Sequence, residues 1–186
     1  SRVADDRGRG VGSAALFDAL GRHVAPDAVV CVDVGNNAYS FGRYFEVDRQ
    51  SVLMSGYLGS IGFALPAAMG AWMAVGGEHQ VVAVAGDGGF GQYAMELTTA
   101  VRYDMDITVV LLDNGELGKI SKEQRAGHFD VWQTALVNPD FAAFAGLCGA
   151  LGVSVATRVD LDRALAQALA HRGPALVHVH TDVGLV

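Results

Sequence analysis

The stretch VVAVAGDGGFGQYAMELTTAVRYDMDITVVLLDNGELGKI, residues 81–120, decides how the rest of the chain is read. Residues 81–85 form a short apolar run rich in β-branched side chains, and residues 107–112 form a second. Neither alternates with polar residues, so both read as strands buried on two faces. Between them, Gly86-Asp87-Gly88-Gly89 reads as a turn that glycine makes best. A helix over residues 90–102 follows, with Phe90, Leu97 and Val101 recurring on one face. The unit is βαβ. Its polar turns, residues 86–89 and 113–116, fall at strand carboxyl ends, where open parallel sheets bind ligands.

Outward from this unit the same alternation continues. Residues 1–10 are polar and aperiodic and read as a linker or disordered lead-in, with one domain over residues 11–186. A helix is expected over residues 11–24, from Leu16, Phe17, Leu20 and Val24. A strand over residues 28–34 ends in the polar turn Gly35-Asn36-Asn37. A short aromatic helix (38–45), a brief strand (51–54) and a glycine-spaced loop follow. Pro66 then suits the first turn of a helix that Gly76-Gly77 stops. Residues 121–137 give no clear pattern. Asn138-Pro139 is expected to cap a helix through residue 150, and Asp160 another from 161 to about 171, with strands at 153–156 and 175–179. The fold class is α/β: an open, doubly wound, mainly parallel sheet of about six strands with helices on both faces.

Composition removes several function classes. Charged residues are 18% of the chain, net charge is −7 and no Lys/Arg cluster exists, so nucleic acid is not an expected partner. No apolar run is long enough for a membrane span. The N-terminal residues show no signal-peptide pattern. Cys31 and Cys148 read as two buried free thiols in a reducing compartment, so the expected location is cytoplasmic.

Two readings compete for the central stretch. Gly86-x-Gly88-x-x-Gly91 matches the dinucleotide fingerprint, with Asp113 near the ribose-binding position, as in an NAD(P)-binding Rossmann-type oxidoreductase. Asp87 argues against it, because a carboxylate in that turn repels a pyrophosphate unless a divalent cation lies between them. Asp87, the Asn114 amide oxygen and a backbone carbonyl make an oxygen set suited to Mg²⁺. The two turns together then describe a metal-bridged diphosphate site.

Gly86-Asp87-Gly88 followed by Asn114 resembles the thiamine diphosphate (ThDP) motif. The upstream loop Gly59-Ser60-Ile61-Gly62-Phe63-Ala64-Leu65-Pro66 resembles a second signature of the same enzymes. The likeness covers residues 11–179. It is to the C-terminal, diphosphate-binding domain of the pyruvate oxidase and acetolactate synthase family, with residues 114–127 most like the pyruvate oxidase branch. The resemblance implies Mg²⁺ held by Asp87, Asn114 and the Glu116 carbonyl. It places the diphosphate on Gly88 and Gly89 and beside Gly35, Asn36 and Asn37, with Leu117 and Gly118 along the cofactor. Gly59, with Ser60, would meet the pyrimidine amino group, and Ile61 would sit under the bend of the cofactor. The implied activity is decarboxylation of a pyruvate-like 2-oxo acid.

The family's activating glutamate belongs to an N-terminal pyrimidine-binding domain, of the same enzyme or a partner subunit. None of the five glutamates here matches it, so the chain by itself is expected to be inactive. FAD, where used, would belong to a middle domain of the longer enzyme, and a homodimer or homotetramer is the expected assembly. Lys119 and Lys122 are the only lysines. Lys119 stands where relatives face the substrate with an apolar residue; it reads either as a substrate-side cation or as a lysine pointing to solvent. Glu123 matches a substrate-side position but also lies in a charged run. His128 reads as a surface histidine. His178 and His180 alternate on the last strand and read as a sheet-end pair without a third ligand. Tyr57, Leu58, Tyr93 and Met95 are expected to form an exposed apolar face toward the N-terminal domain. A non-catalytic assembly domain of the same fold is the remaining alternative.

Overall fold

The computed structural model describes residues 2–182; the outermost residues of both expected segments, 1 and 183–186, lie outside the described residues. The elements in chain order are α1 (Ser13–His23), β1 (Val29–Val32), α2 (Asn36–Tyr44), β2 (Ser51–Met54), α3 (Ala64–Val75), β3 (Val81–Gly86), α4 (Asp87–Tyr93), α5 (Glu96–Arg102), β4 (Ile107–Asp113), α6 (Gly118–Ala126), α7 (Phe141–Leu147), β5 (Leu151–Val155), α8 (Arg158–Leu169) and β6 (Ala175–His180). Residues 2–4 form an exposed turn of 3₁₀ helix. The six strands form one all-parallel sheet in the order β2-β1-β3-β4-β6-β5.

Strand side chains alternate between faces, and the two halves of the core follow that period. Val30, Val32, Val82, Val84, Val110, Leu112, Val177 and Val179 point to one face and pack with α1 and α8 through Leu16, Leu20, Leu161 and Leu165. Cys31, Val81, Ala83, Ala85, Ile107, Val109, Leu111 and Leu176 point to the other and meet α3, α4, α5 and α7 through Leu65, Phe90, Leu97 and Phe141. Burial on both faces explains why β1, β3 and β4 are almost entirely apolar, whereas the edge strand β2 is largely exposed.

The chain leaves β1 toward β2 on one side, then returns so that β3 and β4 extend the sheet on the other. The carboxyl ends of β1 and β3, paired side by side, are therefore the topological switch point where such sheets leave a crevice. The turn at Gly35 and the turn at Asp87 both open onto it.

Several expected boundaries are corrected. Residues 86–89 are not a left-handed turn: β3 runs through Gly86 and α4 starts at Asp87. Glycine is required there by close approach instead. A Cβ on Gly89 would lie 2.7 Å from Asp33 Oδ2, and one on Gly88 would lie 2.5 Å from Leu117 Cδ2. The single helix expected over residues 90–102 is two helices, joined where Leu97 N–H and Thr98 N–H bond three residues back, to the Ala94 and Met95 carbonyls. Asp140, not Asn138, caps α7, accepting from Ala142 and Ala143 N–H at 2.9 and 3.0 Å. The last long helix begins at Arg158 with Thr157 at its N-cap, three residues before the expected start. Residues 121–126 of the unassigned region belong to α6, which begins at Gly118. Cys31 is buried, whereas Cys148 is only half-buried, and neither forms a disulfide.

Candidate functional site

The crevice at the switch point is a cavity of about 290 Å³. The turn after β1 brings Gly35, Asn36 and Asn37 to its wall, and the loop before α3 brings Gly59 and Ile61. The β3–α4 junction supplies Asp87, Gly88 and Gly89; the segment after β4 supplies Asn114, Glu116, Leu117, Gly118 and Lys119. Val34, Leu112 and Ile120 complete its apolar side. Segments distant in sequence thus converge on one cavity. Ser60 and Glu123 lie beside it rather than in its lining. Ser60 N–H bonds Ser55 Oγ at 3.0 Å, and Glu123 pairs with Lys119.

Asp87 is buried at 4% exposure, and among the described residues no lysine, arginine or histidine pairs with it. Its Oδ1 accepts Gly88 N–H at 2.9 Å. Its Oδ2 accepts Gly115 N–H at 2.9 Å and Asn138 Nδ2 at 2.8 Å. Its neighbour is a second carboxylate: Asp113 Oδ1 takes the same Gly115 N–H at 3.0 Å and the same Asn138 amide at 2.8 Å. Asp113 Oδ2 is 2.8 Å from His178 Nε2. Burial, and then Asp113 alongside, push the Asp87 carboxyl above its ordinary range. For Asp113, burial pulls upward but is outweighed by the hydrogen bonds from His178 and Asn138, which hold its carboxyl well below that range. Asn114 Oδ1 accepts Glu116 N–H at 3.0 Å, closing the turn that carries both residues. The Glu116 side chain is drawn to Arg125, 3.2 Å away on α6, and its carbonyl accepts Gly118 N–H at 2.8 Å, leaving one lone pair.

The opposite wall depends on Asp33, which follows β1 and was not singled out in the sequence. Asp33 is buried at 1% exposure. Its carboxylate accepts N–H groups from Val34 at 2.7 Å, Gly62 at 2.8 Å, Phe63 at 3.3 Å and Ala64 at 3.4 Å. The N-cap position of α3 is Phe63, whose side chain accepts nothing. Asp33 therefore caps α3 from another strand, satisfying donors a helix start leaves open and placing a negative charge at its positive end. The same bonds fix the 59–64 loop against the carboxyl end of β1. Burial still raises the Asp33 carboxyl above its ordinary range, against the pull of those N–H groups. A lone acid in an otherwise apolar strand, VVCVD, was the available signal. Asn138 was visible too, but as a cap; its contact with Asp87 spans 51 residues and has no sequence signature.

Lys119 lines the cavity and also a neighbouring notch of about 120 Å³, with Tyr39, Arg43 and Lys122. Its ammonium pairs with Glu123 and stands 5.2 Å from the Tyr39 ring centre. His178 and His180 do have a third group nearby: a ligand atom from each and one from Asp113 lie within 4.8 Å of one another. Tyr57, Leu58, Tyr93 and Met95 are exposed as expected, Tyr57 at 98%.

The sheet order and the crevice at its switch point define a doubly wound α/β ligand-binding domain. Residues 33–179 match the profile of the family described as thiamine pyrophosphate enzyme, C-terminal TPP binding domain, and the chain belongs to that family. YdaP of Bacillus subtilis (strain 168), whose name says only that it contains thiamine pyrophosphate, is 41% identical over 157 residues, 83% of this chain and 27% of that protein. The large subunit of acetolactate synthase isozyme 3 of Escherichia coli (strain K12) is 34% identical over 175 residues, 91% of this chain and 30% of the subunit. Among solved structures, the thiamine diphosphate-dependent 4-hydroxybenzoylformate decarboxylase of Rhodococcus jostii RHA1 superposes with a TM-score of 0.87 at 27% identity, over 96% of this chain and 34% of that one. The chain thus spans about a third or less of the relatives it matches. The family match also decides against the NAD(P) reading. No helix among the described residues is long and apolar enough to cross a membrane.

Proposed function

We propose that the chain binds the Mg²⁺–diphosphate end of ThDP for an enzyme that decarboxylates a pyruvate-like 2-oxo acid, of acetolactate synthase or pyruvate oxidase type. The observation that carries this is the buried Asp87 carboxylate. Among the described residues it has no cationic partner; it lies against a second carboxylate and shares a cavity wall with two further oxygen donors. Asp87, the Asn114 amide oxygen and the Glu116 carbonyl form an all-oxygen set of low charge, which fits a hard cation that keeps water or phosphate oxygens in its other positions. Gly88 and Gly89, with Gly35, Asn36 and Asn37 opposite, bring backbone and amide groups to the diphosphate side of the cavity. Leu117 and Gly118 line the same cavity and would lie along the cofactor. Gly59 and Ile61 face the organic end, Gly59 offering its carbonyl and Ile61 a half-exposed apolar prop, with Ser60 behind them. When bound, the cofactor would supply the carbon nucleophile and the electron sink that decarboxylation of a 2-oxo acid needs.

The residues of this chain bind and orient. The group that protonates the pyrimidine comes from an N-terminal pyrimidine-binding domain, against which Tyr57, Leu58, Tyr93 and Met95, all exposed here, pack. Lys119 and Glu123 stand on the substrate side of the cavity, where a cation meets the carboxylate of the oxo acid. The working assembly is a homodimer or homotetramer, with FAD present only if a middle domain carries it. Calorimetric titration with ThDP, with and without Mg²⁺, tests the reading: binding that EDTA abolishes is expected, and binding indifferent to EDTA overturns it.

A further inference from the structure

We infer that Asn138, anchored by Asp113 and His178, is a positioning residue that sets the Asp87 carboxylate for the cation. This rests on the metal reading proposed above.

The arrangement is a relay of hydrogen bonds from the last strand to the metal turn. His178 is buried at 1% exposure on β6, and its Nε2 lies 2.8 Å from Asp113 Oδ2. A carboxylate only accepts, so His178 donates here through Nε2–H, and the Nδ1 side faces Asp140 Oδ1 at 3.6 Å. Asp113 Oδ1 then receives Asn138 Nδ2 at 2.8 Å, and that same amide reaches Asp87 Oδ2, also at 2.8 Å. An Asn amide carries two N–H donors, and here each carboxylate takes one. Gly115 N–H makes a second bridge, 2.9 Å to Asp87 and 3.0 Å to Asp113. Two ionised carboxylates in a buried site repel each other unless donors lie between them. Asn138 is the only side chain that bonds both among the described residues. Because Gly115 and Asn138 engage Oδ2, and Gly88 engages Oδ1, the Asp87 carboxylate has one fixed orientation before any cation arrives.

The neighbours carry the same logic. Asp113 is locked from behind by His178, so it presents its other oxygen to Asn138 rather than rotating. The Phe141 ring meets the His178 ring edge-on at 5.4 Å, and Phe90 meets Phe141 at 5.5 Å, which immobilises the imidazole against the core. Outer partners that orient a ligating carboxylate typically change metal affinity by about 10–100-fold.

The test is a Mn²⁺ titration of the full-length protein with ThDP present, followed by electron paramagnetic resonance, on Asn138→Leu, His178→Leu, His178→Gln and Asp87→Ala. Asn138→Leu keeps the number and branching of the side chain's heavy atoms and removes the donor. It is expected to weaken Mn²⁺ by about 10–100-fold, with ThDP affinity recovering at saturating metal. His178→Leu should weaken it less, and His178→Gln, which keeps a donor at the same reach, should restore it. Unchanged Mn²⁺ affinity in Asn138→Leu, with Asp87→Ala inactive in binding, overturns the positioning role and leaves the metal site standing. A loss in Asn138→Leu that saturating metal does not recover also overturns it, because that is damage to the fold. Normal binding by Asp87→Ala instead removes the metal reading itself. If Asn138→Leu does not fold, the His178 pair decides: equal weakening in both variants overturns the relay.

Discussion

Replacing Asp33 with alanine removes the acceptor of the Val34, Gly62, Phe63 and Ala64 N–H groups. The bonds to Gly62 and Ala64 are buried, and those to Val34 and Phe63 partly so. Water therefore cannot replace the carboxylate at Gly62 and Ala64 without opening the loop. An unsatisfied buried donor costs about 1–3 kcal/mol, so the two fully buried groups set a loss of about 2–6 kcal/mol. Relief from burying a charge offsets part of it, because burial already raises the Asp33 carboxyl. We expect a net loss of about 2–4 kcal/mol, which for a chain of this size lowers Tm by roughly 5–15 °C. Asp33→Asn keeps one carbonyl oxygen for Val34 and Gly62 but turns an amide donor toward Ala64 N–H and Gly89, and should lose about half as much. Urea unfolding measures the global loss, and amide hydrogen exchange at Gly62 and Ala64 measures the local one. Unchanged exchange at both amides, with less than about 0.5 kcal/mol lost in Asp33→Ala, would refute the idea that Asp33 caps α3 and sets the 59–64 loop.

Further expectations follow from the same geometry. Gly89→Ala should cost more stability and cofactor binding than Gly88→Ala, because its Cβ meets the fixed Asp33 carboxylate at 2.7 Å whereas the Gly88 Cβ meets the movable end of Leu117; thermal melting and ThDP titration of the two variants compare them. The Asp87 carboxyl is raised from 3.8 to about 6 by burial and then by Asp113, so its stabilising contribution to the metal-free fold is complete below about pH 4 and is lost as pH rises through about 6. Metal binding must displace that proton, so Mg²⁺ affinity should rise between about pH 5 and 7, and pH-resolved calorimetry with Asp87→Asn as control checks it. Lys119→Met should raise KM for the 2-oxo acid several-fold in the active enzyme while leaving ThDP affinity unchanged; loss of ThDP affinity instead would place Lys119 on the cofactor.

Much of the fold was legible because its central strands β1, β3 and β4 are buried on both faces and its turns are punctuated. Apolar runs such as residues 107–112, ended by Asp113-Asn114-Gly115, announce a parallel sheet whatever their neighbours. The turn proposed to hold the cation drew notice for a chemical reason: a carboxylate at the head of a glycine-rich turn repels a pyrophosphate unless a cation lies between them. Helix starts were less legible. Asp160 and Asn138 looked like caps, but Thr157 and Asp140 hold those positions, since several residues near each start can cap and packing chooses among them. The glycines at 88 and 89 were right in type and wrong in reason, because the constraint is an approaching Asp33 or Leu117 rather than a backbone angle. Asp33 and Asn138 act through contacts made only when distant segments meet, so their partners have no local signature even though Asp33 stands out as a lone acid and Asn138 as a cap candidate.

The most direct test of the central claim is anomalous scattering from Mn²⁺ in crystals grown with ThDP. The account predicts one peak at about 2.0–2.3 Å from an Asp87 oxygen, the Asn114 amide oxygen and the Glu116 carbonyl, with diphosphate oxygens on its open side. A peak elsewhere, or ThDP bound in that cavity with no metal against Asp87, would contradict it.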